Sequence, residues 1–518
     1  MAYSQLKQLK TLLNQTNHVC CTCVNILLGI CVLVYTCFSI FIFQRISSET
    51  RFATGTAVDS LPTDASHILF CISGSSATWP SRKEYSSVWW KPKRTRGFVW
   101  LEEEPEVAWQ NSTEPPYRVS SPDWIRFNAS GYGPASRMAR MISESFKLQL
   151  PGVRWFVIGD DDTVFFVENL VSVLSRYDHR EMWYMGDNSE SVEQDLFFSY
   201  SMAFGGGGYA VSYPLAEKLA SILDDCLQFY IQMYGSEERV RACLTEIGVP
   251  FTQQRGFHQF DIRGSPYGLL GAHPLVPLIS VHHLDYLDPL FPNTSRIESL
   301  KTFMEAYNTD PAQFVQQTLC YARNPNWSLS ISWGYTVQLY PSIVLPKELQ
   351  NPLQTFKTWS FRSNGPFTMN TRPVPLSDPC QGPIVYMLNG VDKVGSSMLR
   401  TTYLTSGPIQ GKPCLDVELR DLMSITRITV LSDKSEPDYW SKVTVSTSGC
   451  HDALFITFLH LFSMQSSAPL SIHLFTMMHS CQSLCPHLFA MMHCSSPLFI
   501  HLLARCVLLH HFLYICLP

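Results

Sequence analysis

From residue 67 to residue 177 the chain alternates short apolar runs with stretches whose apolar residues recur at helical spacing. HILFCI (67–72), RGFVWLEEE (96–104) and RWFVIG (154–159) have the length and composition of strands. Between and after them, SRKEYSSVWW (81–90), RMARMISESFKLQL (137–150) and VENLVSVLSRY (167–177) fit helices, the last with Val167, Leu170, Val171 and Leu174 on one stripe. Such alternation predicts an α/β fold built on a mostly parallel sheet with helices on both faces. In that architecture a ligand sits beyond the carboxyl ends of the strands.

The flanks are of different character. Cys20 to Phe43 is a run of 24 residues without a charge, long enough as a helix, about 36 Å, to cross a bilayer. Its length favours an uncleaved signal-anchor over a cleaved secretory signal. Lys7 and Lys10 before it and Arg45 and Arg51 after it barely decide its orientation. The segment after the span carries four N-x-S/T sequons, at Asn111, Asn128, Asn293 and Asn326, which favours a lumenal body. The expected organisation is a cytoplasmic tail (1–19), a transmembrane signal-anchor (20–43), a Ser/Thr-rich lumenal stem (44–66), an α/β catalytic domain (67–311), a smaller β-rich C-terminal domain (312–445) and an atypical tail (446–518). From residue 451 onward that tail holds nine of the sixteen histidines and only two charges, Asp452 and Arg505, and it repeats HLFTMMHS as HLFAMMHC. It reads as a gene-model artefact, the alternatives being a second membrane segment or a histidine-rich metal site.

A net charge of −5 and the lack of any basic cluster beyond KPKRTR (91–96) argue against a nucleic-acid partner. In an oxidising lumen Cys226 can pair with Cys243, or Cys380 with Cys414, although sequence does not fix connectivity.

The chemistry concentrates in three stretches. WFVIGDDD (155–162) ends a core strand on three carboxylates. Along an extended chain alternate side chains point the same way, so Asp160 and Asp162 converge while Asp161 faces elsewhere. Two convergent carboxylates suit Mn²⁺ or Mg²⁺; the competing reading is a solvated turn that caps the next helix. AFGGGGYAVS (203–212) brings backbone close to a ligand with no Cβ in the way, or is simply a flexible loop. VHHLD (281–285) sets His282 and His283 at another strand end, where an imidazole is an acceptable third ligand or a packed surface feature. Trp89 and Trp90 read as core. Neither G-x-S-x-G nor H-E-x-x-H occurs, which weighs against a membrane-bound hydrolase.

Taken in order, SSATWPSRKEYSSVWW, RGFVWLEE, RWFVIGDDDTVFFVENL, AFGGGGYAVS, YGSEERVRACLTEIGVPFT and VHHLD resemble the plant Fringe-like proteins within glycosyltransferase family 31, the β-1,3-glycosyltransferases, over residues 67–445. The resemblance implies a GT-A-like fold, type II single-pass Golgi topology and inverting hexosyl transfer. The moved group would be a hexose or N-acetylhexosamine, passed from a UDP-sugar to a hydroxyl of a glycan or glycoprotein in a β-1,3 linkage. It implies Asp162 as a direct metal ligand, Asp160 on metal or ribose, and His282 or His283 completing the site. Arg82, Asp160, Asp161, Gly205, Gly206 and Gly207 become the nucleotide-sugar set, Arg82 meeting phosphate or the uracil edge unless it is engaged in a surface salt bridge. The general base falls in the acidic pair Glu237–Glu238, with Glu238 preferred. Glutamate stands there where relatives carry aspartate as the second acid. That departure leaves a second reading, a non-catalytic lumenal lectin or scaffold that keeps the transferase fold.

Overall fold

The computed structural model describes residues 61–106, 113–128, 133–274, 276–323, 326–360, 365–375, 381–395, 397–408 and 420–436, and the strand segments 455–460 and 472–474. The expected membrane span, the stem before residue 61 and Cys380 and Cys414 lie outside these residues. Among the described residues no helix is long and apolar enough to cross a membrane.

The predicted strands form. β1 (Ile68–Ser73), β2 (Gly97–Leu101) and β4 (Trp155–Asp160) lie side by side in parallel, and β3 (Tyr117–Val119) pairs parallel with β2. The sheet extends through β6 (Tyr184–Gly186), β7 (Tyr209–Ser212) and β8 (Phe251–Gln253) to the order β3-β2-β1-β4-β7-β6-β8. It is mostly parallel, but β7 runs antiparallel to both β4 and β6. Because the chain reaches β7 directly from the glycine run, the reversal carries that run to the carboxyl end of β4.

Both faces of the sheet are covered, and the strand sequences show it. In β1, Ile68, Phe70 and Ile72 enter one apolar cluster while Leu69 and Cys71 enter the other; in β4, Trp155 and Val157 part from Phe156 and Ile158 in the same way. Every residue of β1 is buried, and each large apolar side chain so buried contributes about 1.5–3 kcal/mol. The helices Gly133–Lys147, Tyr213–Phe229 and Ser236–Glu246 cover one face. The last two are joined by a Cys226–Cys243 disulfide, one of the pairs sequence allowed. A loop of this size constrains the unfolded chain by about 3 kcal/mol. Arg137, buried on the first of these helices, donates to Trp100 O at 2.7 Å and Gly74 O at 2.9 Å and so ties down the carboxyl ends of β2 and β1.

The other face packs on the β-rich region. β5 (Val164–Phe165), β9 (Phe257–His258) and β11 (Ser280–Val281) form a small sheet beneath the site. β10 (Ile262–Gly264) pairs with β15 (Phe356–Thr358). Beyond them stands an eight-stranded sheet of β12 (Gln317–Arg323), β13 (Asn326–Ser332), β14 (Thr336–Tyr340), β16 (Ile384–Val394), β17 (Met398–Pro408), β18 (Ile425–Asp433), β19 (Phe455–His460) and β20 (Ile472–Leu474). One apolar cluster runs from β1 and β4 to Tyr335, Tyr386 and Val430, so the two regions share a core. β19 and β20 come from the tail that sequence set apart, and they continue the sheet from β18.

Candidate metal and transfer site

β4 ends where the aspartates begin. The turn after it is held by Thr163, whose Oγ1 accepts from Asp160 N at 2.8 Å and donates to Gly206 O at 2.7 Å, and by buried Trp89, whose indole donates to Thr163 O at 3.1 Å. The tryptophan assigned to the core thus also fixes the acidic turn.

Asp160, Asp162 and His282 present ligand atoms that all lie within 4.8 Å of one another. His282 Nε2 is 3.1 Å from Asp162 Oδ1 and 3.6 Å from Asp160 Oδ2. Asp162 and His282 are nearly sealed, at 1% and 4% side-chain exposure, whereas Asp160 keeps 24% and faces the opening. Asp162 Oδ1 and His282 Nδ1 are buried without a hydrogen-bond partner, a costly state unless something else satisfies them. Burial pushes the Asp160 carboxyl up to about 7, with Asp162 and Glu237 adding to the effect and His282 opposing it. For Asp162 burial acts in the same direction, but His282 and Arg82 overcome it and hold the carboxyl well below its usual range. Burial alone would lower the His282 imidazole; Asp162 and Asp160 raise it to about 9 instead. Two carboxylates, one imidazole and an orphaned buried oxygen are a donor set that fits Mn²⁺ or Mg²⁺.

Asp161 faces away from the group, as the alternation predicts, and two residues of the expected set, His283 and Glu238, stand elsewhere. Asp161 is bound by Arg82 Nη1 at 2.8 Å and Thr78 Oγ1 at 3.3 Å, outside the group of three. His283 takes a left-handed backbone, φ 58°, which turns its ring to Asp261, with Nδ1 2.8 Å from Oδ1, and onto Trp359, stacked at 4.6 Å. Of the histidine pair only His282 joins the carboxylates. Glu238, preferred as base, turns back on its own helix, where Gly235 N donates to its Oε2 at 3.4 Å; an acid at that position satisfies the helix N-terminus. Its neighbour Glu237 faces the site, so close to Gly205 that a Cβ there would fall 2.0 Å from Glu237 Oε1.

The glycine run is required by contact. A Cβ on Gly206 would lie 2.0 Å from His282 Cε1, and one on Gly207 would lie 3.0 Å from Gln259 N. Gly208 has φ +91°, open to few other residues. Gly206→Ala is therefore expected to displace the imidazole and weaken Mn²⁺ binding roughly 10- to 100-fold, as displacement of a ligand's support does. Calorimetric titration with Mn²⁺ reads this directly, and unchanged affinity would contradict the contact.

Arg82 points inward: besides Asp161 it lies 3.6 Å from Asp162 and 3.9 Å from Asp285. Asp285, held by Tyr85 OH and 3.6 Å from Arg296, went unread in the sequence. So did a buried polar layer behind His283. There Asp261 also accepts from Ser189 Oγ at 2.7 Å, Glu190 meets His258 at 2.8 Å, and His258 meets His273 at 3.0 Å. The signal lay in GFHQFDIRG, where polar residues interrupt an apolar run.

Asp195 adjoins this layer, accepting from Ser189 N at 3.1 Å while its Oδ2 is buried without a partner. Burial, with Glu190 and Asp261 adding repulsion, pushes its carboxyl up to about 7 from 3.8. A raised carboxyl binds its proton more tightly in the folded state, so its contribution to stability is full below the unfolded pKa and falls as pH rises to about 7. Asp195→Asn should raise the melting temperature by several degrees at pH 8 and change it little at pH 4. Thermal unfolding at the two pH values tests this, and a loss at pH 8 would count against it.

Residues 194–450 match the family model described as "Protein of unknown function, DUF604". The chain is 30% identical over 139 residues to a mouse (Mus musculus) protein, "Beta-1,3-glucosyltransferase", covering 27% of each, so it spans about a quarter of the length of the curated relative it matches. Among solved structures, mouse xyloside xylosyltransferase 1 in its apo form aligns at TM-score 0.26 and 10% identity over 36% of this chain and 84% of that one. A glycosyltransferase involved in the glycosylation of the major capsid of PBCV-1 aligns at TM-score 0.23 and 13% identity over 45% and 98%.

Proposed function

We propose that the protein is a metal-dependent, inverting glycosyltransferase of GT-A-like fold, moving a hexose or N-acetylhexosamine from a UDP-sugar to a hydroxyl of a glycan, in a β-1,3 linkage. The observation that carries this reading is the Asp160–Asp162–His282 group at the carboxyl end of β4, with Glu237 and the glycine turn beside it. The segment similar to a β-1,3-glucosyltransferase supports the reaction class.

Asp160, Asp162 and His282 would hold the cation. When bound, it offsets the negative charge that grows on the departing diphosphate. Asp162, pinned between His282 and Arg82, is the fixed member of the group, and the more exposed Asp160 is the one that adjusts to a ligand. Arg82 keeps a third of its side chain exposed and can turn a donor toward phosphate. Glu237 takes the proton from the acceptor hydroxyl as that oxygen attacks the anomeric carbon from the face opposite the nucleotide. The bond from that carbon to the phosphate oxygen breaks, and no enzyme nucleophile is needed.

The Cys226–Cys243 disulfide and the exposed sequon residues Asn128, Asn293 and Asn326 support a lumenal, type II Golgi location, with residues 20–43 as the anchor. The test is UDP release by the full chain over a panel of UDP-sugars and glycan acceptors, with and without Mn²⁺. Metal-dependent release with one donor class is expected. Nucleotide binding without turnover across the panel would favour the lectin or scaffold reading instead.

A further inference from the structure

The helix Ser236–Glu246 that brings Glu237 to the glycine turn carries Arg241 one turn further on. Residues four apart share a helix face, so Arg241 lies about 6 Å along the axis from the base. It lines a cavity of ≈ 350 Å³ together with Tyr184, Tyr200, Ser201, Thr245 and Phe251. The cavity adjoins the transfer site through Tyr184, whose hydroxyl accepts from Ala203 N at 2.9 Å, two residues before Gly205.

Arg241 is half-buried, and part of its guanidinium lacks an acceptor. Among the described residues no side chain accepts a hydrogen bond from its guanidinium, and its Nε is buried with no partner. A buried N–H of a permanently charged group without an acceptor is costly, and a carboxylate meets such a fork through two parallel bonds. The walls add a second requirement. Tyr200 is 49% exposed, and Phe251 is half-buried, backed by the sealed Tyr184 ring 5.6 Å behind it. These are flat apolar surfaces for the C–H face of a ring, with Ser201 and Thr245 offering hydroxyls.

The geometry points to an acceptor subsite for a uronic acid: a pyranose ring lies against Tyr200 and Phe251 while its carboxylate is gripped by Arg241, one helical turn from the base. It rests on the transferase reading for the word acceptor but is tested by binding alone. Ligand-observed NMR on the full chain compares D-glucuronate with D-glucose and with the uncharged methyl ester of glucuronate. Glucuronate should bind roughly 10- to 100-fold more tightly than either, the difference expected of a charge-assisted pair. Arg241→Gln should reduce glucuronate to the level of glucose. Arg241→Lys should fall between, since it keeps the charge and loses the fork. Unchanged Mn²⁺ binding in both variants shows that they are folded. Equal binding of glucose and glucuronate overturns the inference, as does glucuronate binding indifferent to Arg241→Gln, or displacement by inorganic sulfate at equal concentration, which would mark a general anion site. A chain that binds glucuronate but releases no UDP loses the transferase reading and keeps the pocket; the reverse result loses only the pocket.

Discussion

Asp162→Asn is expected to lower Mn²⁺-dependent UDP release by at least roughly 10²- to 10³-fold, the cost of removing a fixed electrostatic stabiliser from a buried site. The substitution keeps the shape of the side chain and removes its charge. Asp162 is the acid with 1% exposure, the atom nearest His282 Nε2 and a partner of Arg82, so no neighbouring carboxylate can replace it. Mn²⁺ titration should fail in parallel with turnover. Asp161→Asn is the control: Asp161 bonds Arg82 and Thr78 and stands outside the ligand group, and its loss should leave metal affinity far less affected. Full turnover in the Asp162 variant would remove the site from this part of the molecule.

Glu237→Gln should cost about 10²- to 10⁴-fold in turnover, the range for loss of a positioned general base, while Mn²⁺ and nucleotide binding stay as in the parent protein. Glutamine fills the same space against Gly205, so packing there is preserved. Glu238→Gln retains an oxygen for Gly235 N and should change rate little. The pair of variants is decisive in both directions, because a large loss at Glu238 with turnover intact at Glu237 would reverse the roles.

The sequence revealed what depends on local pattern. Strand period and apolar runs marked β1, β2 and β4 and the helices between them, and the alternation inside the triplet separated Asp160 and Asp162 from Asp161. It did not reveal what depends on the path of the chain in space. β6 and β8 are three residues each, too short to carry a period. The antiparallel entry of β7 had no local signature, and it is this entry that seats Gly206 on His282. Choosing between His282 and His283 required one backbone torsion, and choosing between Glu237 and Glu238 required knowing where the helix Ser236–Glu246 begins. Asp261 and Trp359 are 98 residues apart and meet only through His283.

The pairing of β15 with β10 places Trp359 on His283, whose ring stacks 3.9 Å from that of His282. The C-terminal region is therefore not an interchangeable module. A chimera that replaced it with the matching part of a relative would strip one side of the histidine stack, and inherited differences in residues 356–359 would tune the cation centre as directly as changes beside the aspartates.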